Sequence, residues 1–146
     1  MNKAVLEFSS RAENVAFARV AVAAFVSQVD FTLSDLEEIK VVVSEAVSNA
    51  IIHGYENNPD QVVRLEMSIA DEYMELVVID RGKGIEDIQK ALEPAFSTDP
   101  ERMGLGFSFM QSFMDKFKVQ SKPGQGTRVK MSRRAGAPRR AVVPEQ

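Results

Sequence analysis

The 146-residue chain contains no cysteine and no tryptophan, and only one histidine. Without cysteine it can form no disulfide, thiolate metal site or thiol nucleophile, which fits a reducing compartment and makes the cytoplasm the default expectation. Long apolar runs are missing too. The most apolar stretch, 15–29, is interrupted by Arg19 and is too short to span a bilayer, and the polar start Met1-Asn2-Lys3 leads into no signal-type core. No membrane association is therefore expected. Positive charge is also in short supply: Lys and Arg number 18 against 21 Asp and Glu, a net charge of −3. The stretch 133–146 holds four arginines against Glu145, which leaves −6 for the remainder and argues against a nucleic-acid groove. There is no internal repeat.

The hydrophobic content of 45% suits one compact domain with a real core. We place that domain at 1–132. The aperiodic stretch 133–146, with its arginines and two prolines, is expected to be a disordered basic tail.

Periodicity sets the element order. A strand over 5–9 precedes a helix over 11–29, with Ser10 and Glu13 spaced as a capping box. Leu36, Ile39, Val43, Ala46, Val47, Ala50 and Ile51 recur at helical spacing and predict a long helix over 32–55, with Thr32 and Asp35 as its start signal. Alternation predicts a strand over 62–70, and the run Leu76-Val77-Val78-Ile79 a more buried strand over 73–79, the two joined as a hairpin. A short helix over 86–92, a loop over 94–103 and a helix over 104–117 follow. The last of these buries Phe107, Met110, Phe113, Met114 and Phe117, and strands over 117–121 and 127–132 end the domain. This order predicts an α+β fold, a two-layer sandwich with helices on one face of a mixed, mostly antiparallel sheet.

Three short segments stand out against this frame. In Glu45-x-x-x-Asn49 a carboxylate and an amide share one helix stripe with His53. A solvated helix face would explain the pair; so would a base for a hydroxyl proton beside an oxygen ligand for Mg²⁺. His53-Gly54 reads as a helix C-cap. Asp80-x-Gly82-x-Gly84 follows a buried strand, where it is a turn or a place where a carboxylate accepts from an exocyclic amine while a flat base approaches bare backbone. Gly104-Leu105-Gly106 opens a helix, where free N–H groups and the positive end of the dipole suit a polyphosphate. Gly126-Thr127 is a hairpin turn or a hydroxyl near the base.

In this order, and with Gly126-Thr127 last, the segments resemble the N, G1, G2 and terminal boxes of the GHKL ATPase and kinase superfamily, whose fold is the Bergerat sandwich. The stretches Phe8-Ser-Ser-Arg-Ala-Glu-Asn14, Phe17-Ala-Arg19-Val and Phe113-Met-Asp115 are similar to the sporulation anti-sigma serine kinases of that superfamily. The resemblance implies a Mg-ATP or ADP site between the long helix and a lid. It gives Asp80, supported by Gly82, Gly84 and Thr127, the adenine; Asn49 the Mg²⁺; and Glu45 the role of general base. Gly104, Leu105 and Gly106 would face the phosphates and Arg102 the γ-phosphate. The implied partners are a sporulation sigma factor, an anti-anti-sigma protein phosphorylated on serine, and a second copy of the chain paired through the first strand and helix, with Arg19 at a position where partners dock. A general-stress anti-sigma kinase and a nucleotide-gated sigma binder without kinase activity are the alternatives. A histidine kinase fits less well, because the only histidine, His53, lies inside the nucleotide motif.

Overall fold

The computed structural model of the protein describes residues 1–92 and 107–136. Arg102, Gly104, Leu105, Gly106, the 94–103 loop and residues 137–146 lie outside the described residues.

Five strands, β1 (Asn2–Ser9), β2 (Val62–Ala70), β3 (Tyr73–Asp80), β4 (Lys116–Lys122) and β5 (Gly126–Arg134), form one sheet in the order β1-β2-β3-β5-β4. Every pairing is antiparallel, so the expected mixed sheet has no parallel pair among the described residues. Because strand side chains alternate, Val63, Leu65 and Met67 of β2, Met74, Leu76 and Val78 of β3, and Val129 and Met131 of β5 all turn to one buried face.

The helices supply the other layer: α1 (Asn14–Val26), α2 (Leu33–Asn49), which continues as a π-turn over Ala50–Gly54, α3 (Ile88–Leu92) and α4 (Phe107–Phe113). Ile39, Val42, Val43, Ala46 and Val47 of α2 interlock with the strand residues in one core cluster. A two-layer α+β sandwich results, as the periodicity predicts. No described helix is long and apolar enough to cross a membrane.

Thr32 caps α2 as read, its hydroxyl accepting from Asp35 N (3.0 Å) while the Asp35 carboxylate accepts from Thr32 N (2.9 Å). Ser10 does not cap α1. It is buried, and its hydroxyl donates to Asn58 O (2.6 Å) and accepts from Gln61 N (3.1 Å), so it stitches β1 to the loop before β2, while α1 begins three residues beyond the expected start. In α1, Val22 and Val26 belong to the core, and Phe17 and Val20 are the large apolar side chains left exposed. The helix expected over 104–117 stops at Phe113, because Met114 turns into the core and the chain enters β4, where Phe117 packs on Phe107 at 5.6 Å between ring centroids.

The domain also runs past Ser132. Arg133 and Arg134 are the last residues of β5, and Arg133 is fully buried, its guanidinium held by Asp35, Glu38 and the Phe113 carbonyl. The basic stretch expected from Arg133 thus begins inside the sheet.

Candidate functional site

The inward alternation of β3 runs Met74, Leu76, Val78 and ends on Asp80, a carboxylate only 6% exposed. Its register partner on β5 is Thr127. The chain leaves the sheet at this point, so Arg81, Gly82 and Lys83 have no strand to bond to, and their N–H groups find acceptors elsewhere. Arg81 N donates to the Tyr55 hydroxyl (2.7 Å), Gly82 N to Asp80 Oδ1 (2.9 Å) and Lys83 N to Gly54 O (2.9 Å).

The second wall is the end of α2. After Asn49 the helix widens into the π-turn, closed by Tyr55 N donating to Ala50 O (2.9 Å), which carries Gly54 and Tyr55 against the β3 turn. The approach is close enough to demand glycine twice. A Cβ at Gly54 would sit 2.7 Å from the Asp80 carboxyl carbon, and one at Gly82 would fall on the Gly54 carbonyl oxygen. Gly84 has φ of +75°, and a Cβ there would meet the Lys122 carbonyl.

Between these walls lies a cavity of about 430 Å³. Asn49, His53, Asp80, Gly84 and Thr127 line it, with Ala46, Val78 and Phe107 as apolar surface. Both the size and the mixture of apolar wall with a few polar groups suit a small organic ligand. Burial pushes the Asp80 carboxyl up to about 6, although N–H groups of Gly82 and Thr127 favour its ionised form. The Thr127 hydroxyl lies 2.8 Å from that of Ser121, which also accepts from Ile85 N and so ties the β3 turn to the β4–β5 hairpin.

Of the residues singled out in the sequence, Asn49, Asp80, Gly84 and Thr127 come together on the cavity wall, and Gly82 packs behind Asp80. Glu45, one helical turn before Asn49 and partly buried, is not among the described lining residues. Arg19 is exposed on α1. His53, read only as a cap, lines the cavity as well. Lys83, Glu86 and Pro123 also line it without having been singled out. Lys83 lies within the Asp80-x-Gly82-x-Gly84 segment, whereas nothing local marks Pro123, which arrives by the β4–β5 hairpin.

A long helix and an antiparallel sheet enclosing a cavity with a buried carboxylate at its floor define a class. The model of the histidine kinase-like ATPase domain family matches residues 8–133, and the chain belongs to that family. Among its relatives is the anti-sigma F factor of Clostridium botulinum (strain Eklund 17B / Type B), 50% identical over 135 residues that cover 91% of this chain and 94% of the relative. The anti-sigma F factor of Geobacillus kaustophilus (strain HTA426) is 52% identical over 130 residues, covering 88% and 89%. In fold the chain is similar to the RsbU and RsbW domain structure from Mycobacterium tuberculosis (TM-score 0.68, 18% identity, 100% of this chain and 35% of that one). It is also similar to the kinase domain of a blue-light activated histidine kinase of Erythrobacter litoralis (TM-score 0.56, 17% identity, 87% and 61%).

Proposed function

We propose that the protein is an anti-sigma factor that binds and inhibits a sporulation sigma factor and uses Mg-ATP to phosphorylate a serine of an anti-anti-sigma protein. The observation that carries this reading is identity of about half, over nine-tenths of the chain, to anti-sigma F factors. The geometry of the cavity supports its nucleotide part. An ionised Asp80 presents an acceptor to the exocyclic amine of adenine, Gly84 and Thr127 share the cavity wall with it, and the missing side chain of Gly82 lets the Gly54 backbone close in behind the carboxylate.

The donor chemistry also suits the metal. No group of three or more His, Cys, Asp or Glu able to hold a metal occurs among the described residues, so a protein cage is not on offer there. A Mg²⁺ arriving with the phosphates needs one or two protein oxygens, and Asn49 on the cavity wall is the residue assigned to supply one. When bound, the metal would neutralise developing phosphate charge.

Glu45, toward the start of α2 from Asn49, is assigned as general base: it takes the proton of the partner's serine hydroxyl as that oxygen bonds to the γ-phosphorus and ADP leaves. The Gly104-Leu105-Gly106 N–H groups and Arg102 are assigned to the phosphates. Arg19 is assigned to the docking partner. A homodimer is proposed through β1 and α1, where Phe17 and Val20 are 51% and 62% exposed.

The test is incubation of the purified protein with γ-labelled Mg-ATP, with and without a candidate anti-anti-sigma protein, beside co-purification with candidate sigma factors. Label on a partner serine supports the kinase. ATP binding without transfer leaves a nucleotide-gated sigma binder, and a protein that binds neither ATP nor any sigma factor overturns the reading.

A further inference from the structure

The turn that carries the Asp80 carboxylate hangs from a dipeptide outside it. Of the three consecutive N–H groups beyond β3, Lys83 is held by the carbonyl of Gly54 and Arg81 by the hydroxyl of Tyr55, and Gly82 alone is satisfied within the turn. Tyr55 is 8% exposed, and its hydroxyl, besides accepting from Arg81 N at 2.7 Å, donates to Val62 O at 2.6 Å. It therefore clamps the first residue of β2 to the residue directly after Asp80. Tyr55 is fixed in turn by its own N–H, which closes the π-turn on Ala50 O. The ring fills core space as a phenylalanine would. Its oxygen is what hydrogen-bonds the turn.

We propose that Tyr55 is a positioning residue: its hydroxyl holds the Asp80-Arg81-Gly82 turn so that the carboxylate faces the cavity, and it thereby sets discrimination in favour of a purine bearing an exocyclic amine. This rests on the nucleotide reading of the cavity. The phenol also feels this turn: burial raises its pKa, the hydrogen bond from Arg81 N works against that, and the charge of Asp80 raises it further. Removing the oxygen takes from the Arg81 N–H and the Val62 carbonyl the partner they share in two part-buried hydrogen bonds, and the turn relaxes toward water or whatever else satisfies them. Asp80 then loses its aim while the ring packing stays.

Dissociation constants for ATP and ITP, measured on the full chain, test this. ITP carries a carbonyl oxygen where ATP has the amine, so it gains nothing from a correctly aimed carboxylate. The wild type should prefer ATP. Tyr55→Phe should weaken ATP by about tenfold and ITP by less than about twofold, and in an Asp80→Ala background it should change ATP affinity by less than about twofold. A Tyr55→Phe protein that keeps the wild-type ATP-to-ITP ratio, or weakens both nucleotides equally, overturns the positioning role. A wild type with no preference overturns the nucleotide reading instead. Hydrogen exchange at the Arg81 amide tests the clamp without any variant: a protected amide supports it, and exchange at the rate of an open loop removes it.

Discussion

The guanidinium of Arg133 donates to Asp35 at 2.6 Å, joining the end of β5 to the first turn of α2 across 98 residues of sequence. The same nitrogen reaches Glu38 at 3.0 Å, and Nη1 reaches the Phe113 carbonyl at 3.1 Å, so one buried cation ties together β5, the start of α2 and the last residue of α4. Burial raises the Asp35 carboxyl, but hydrogen bonds from Thr32 and the charge of Arg133 outweigh it and leave its pKa below the ordinary value.

Arg133→Met should therefore destabilise the fold by about 2–4 kcal/mol, below the full cost of breaking a buried pair because Asp35 and Glu38 keep side-chain exposures of 20% and 34%. Denaturant unfolding measures this. A loss under about 0.5 kcal/mol would mean that the cluster is replaceable by apolar packing.

The pH dependence from Asp80 has the sign opposite to that of Asp35. Its folded pKa of about 6 lies above the ordinary 3.8, so the folded state holds the proton more tightly. That stabilisation is complete below about pH 4 and is lost as pH rises to about 6, an amount on the order of 3 kcal/mol. Asp80→Asn should flatten the stability profile between these limits. The Asp35 contribution, by contrast, is present above the ordinary carboxylate pKa and disappears as pH falls through its lowered value. Nucleotide affinity should fall below about pH 6 as Asp80 gains its proton, and an affinity independent of pH from 5 to 8 would refute a carboxylate acceptor.

Two glycine substitutions should separate steric from conformational cost. Gly82→Ala drives a methyl into the Gly54 carbonyl, backbone against backbone, and should cost at least about 2–3 kcal/mol and the cavity's ligand binding. Gly124→Ala meets nothing within 4 Å and suffers only from its φ of +77°, a cost of about 1–2 kcal/mol with binding retained. Thermal melts and ATP titration on both variants check the contrast.

Glu45→Ala and Asn49→Ala should divide chemistry from binding. Loss of the base should lower phosphoryl transfer by about 10²–10⁴-fold with ATP affinity little changed. Asn49→Ala should weaken Mg-ATP itself. Single-turnover transfer and equilibrium binding on both proteins read the split, and a Glu45→Ala enzyme of normal rate would assign the base elsewhere.

Much of this protein is legible in the chain because the signals are local. Alternation in 62–70 and 73–79 reports which strand face is buried, and Thr32 with Asp35 marks the start of α2, since a capping box needs only groups three residues apart. The same alternation, carried one step further, sends Asp80 inward on β3 and Arg133 inward on β5. Asp80 is recognisable by its glycines, but Arg133 looks like the start of a solvated tail because its partners are 95 and 98 residues away. Ser10 misleads for a similar reason: its spacing to Glu13 suggests a cap, whereas Asn58 and Gln61 claim its hydroxyl.

Sequence by itself determined the sandwich, the inward faces and the order in which the polar motifs meet the core, because periodicity and capping are short-range constraints. Tertiary structure alone decided that the π-turn ending α2 packs on the β3 turn, that Gly54 lies against Asp80, and that a tyrosine hydroxyl accepts from the Arg81 N–H. Those contacts join segments whose proximity no local propensity encodes, and they exist only once burial has brought unsatisfied backbone N–H groups within reach of distant acceptors.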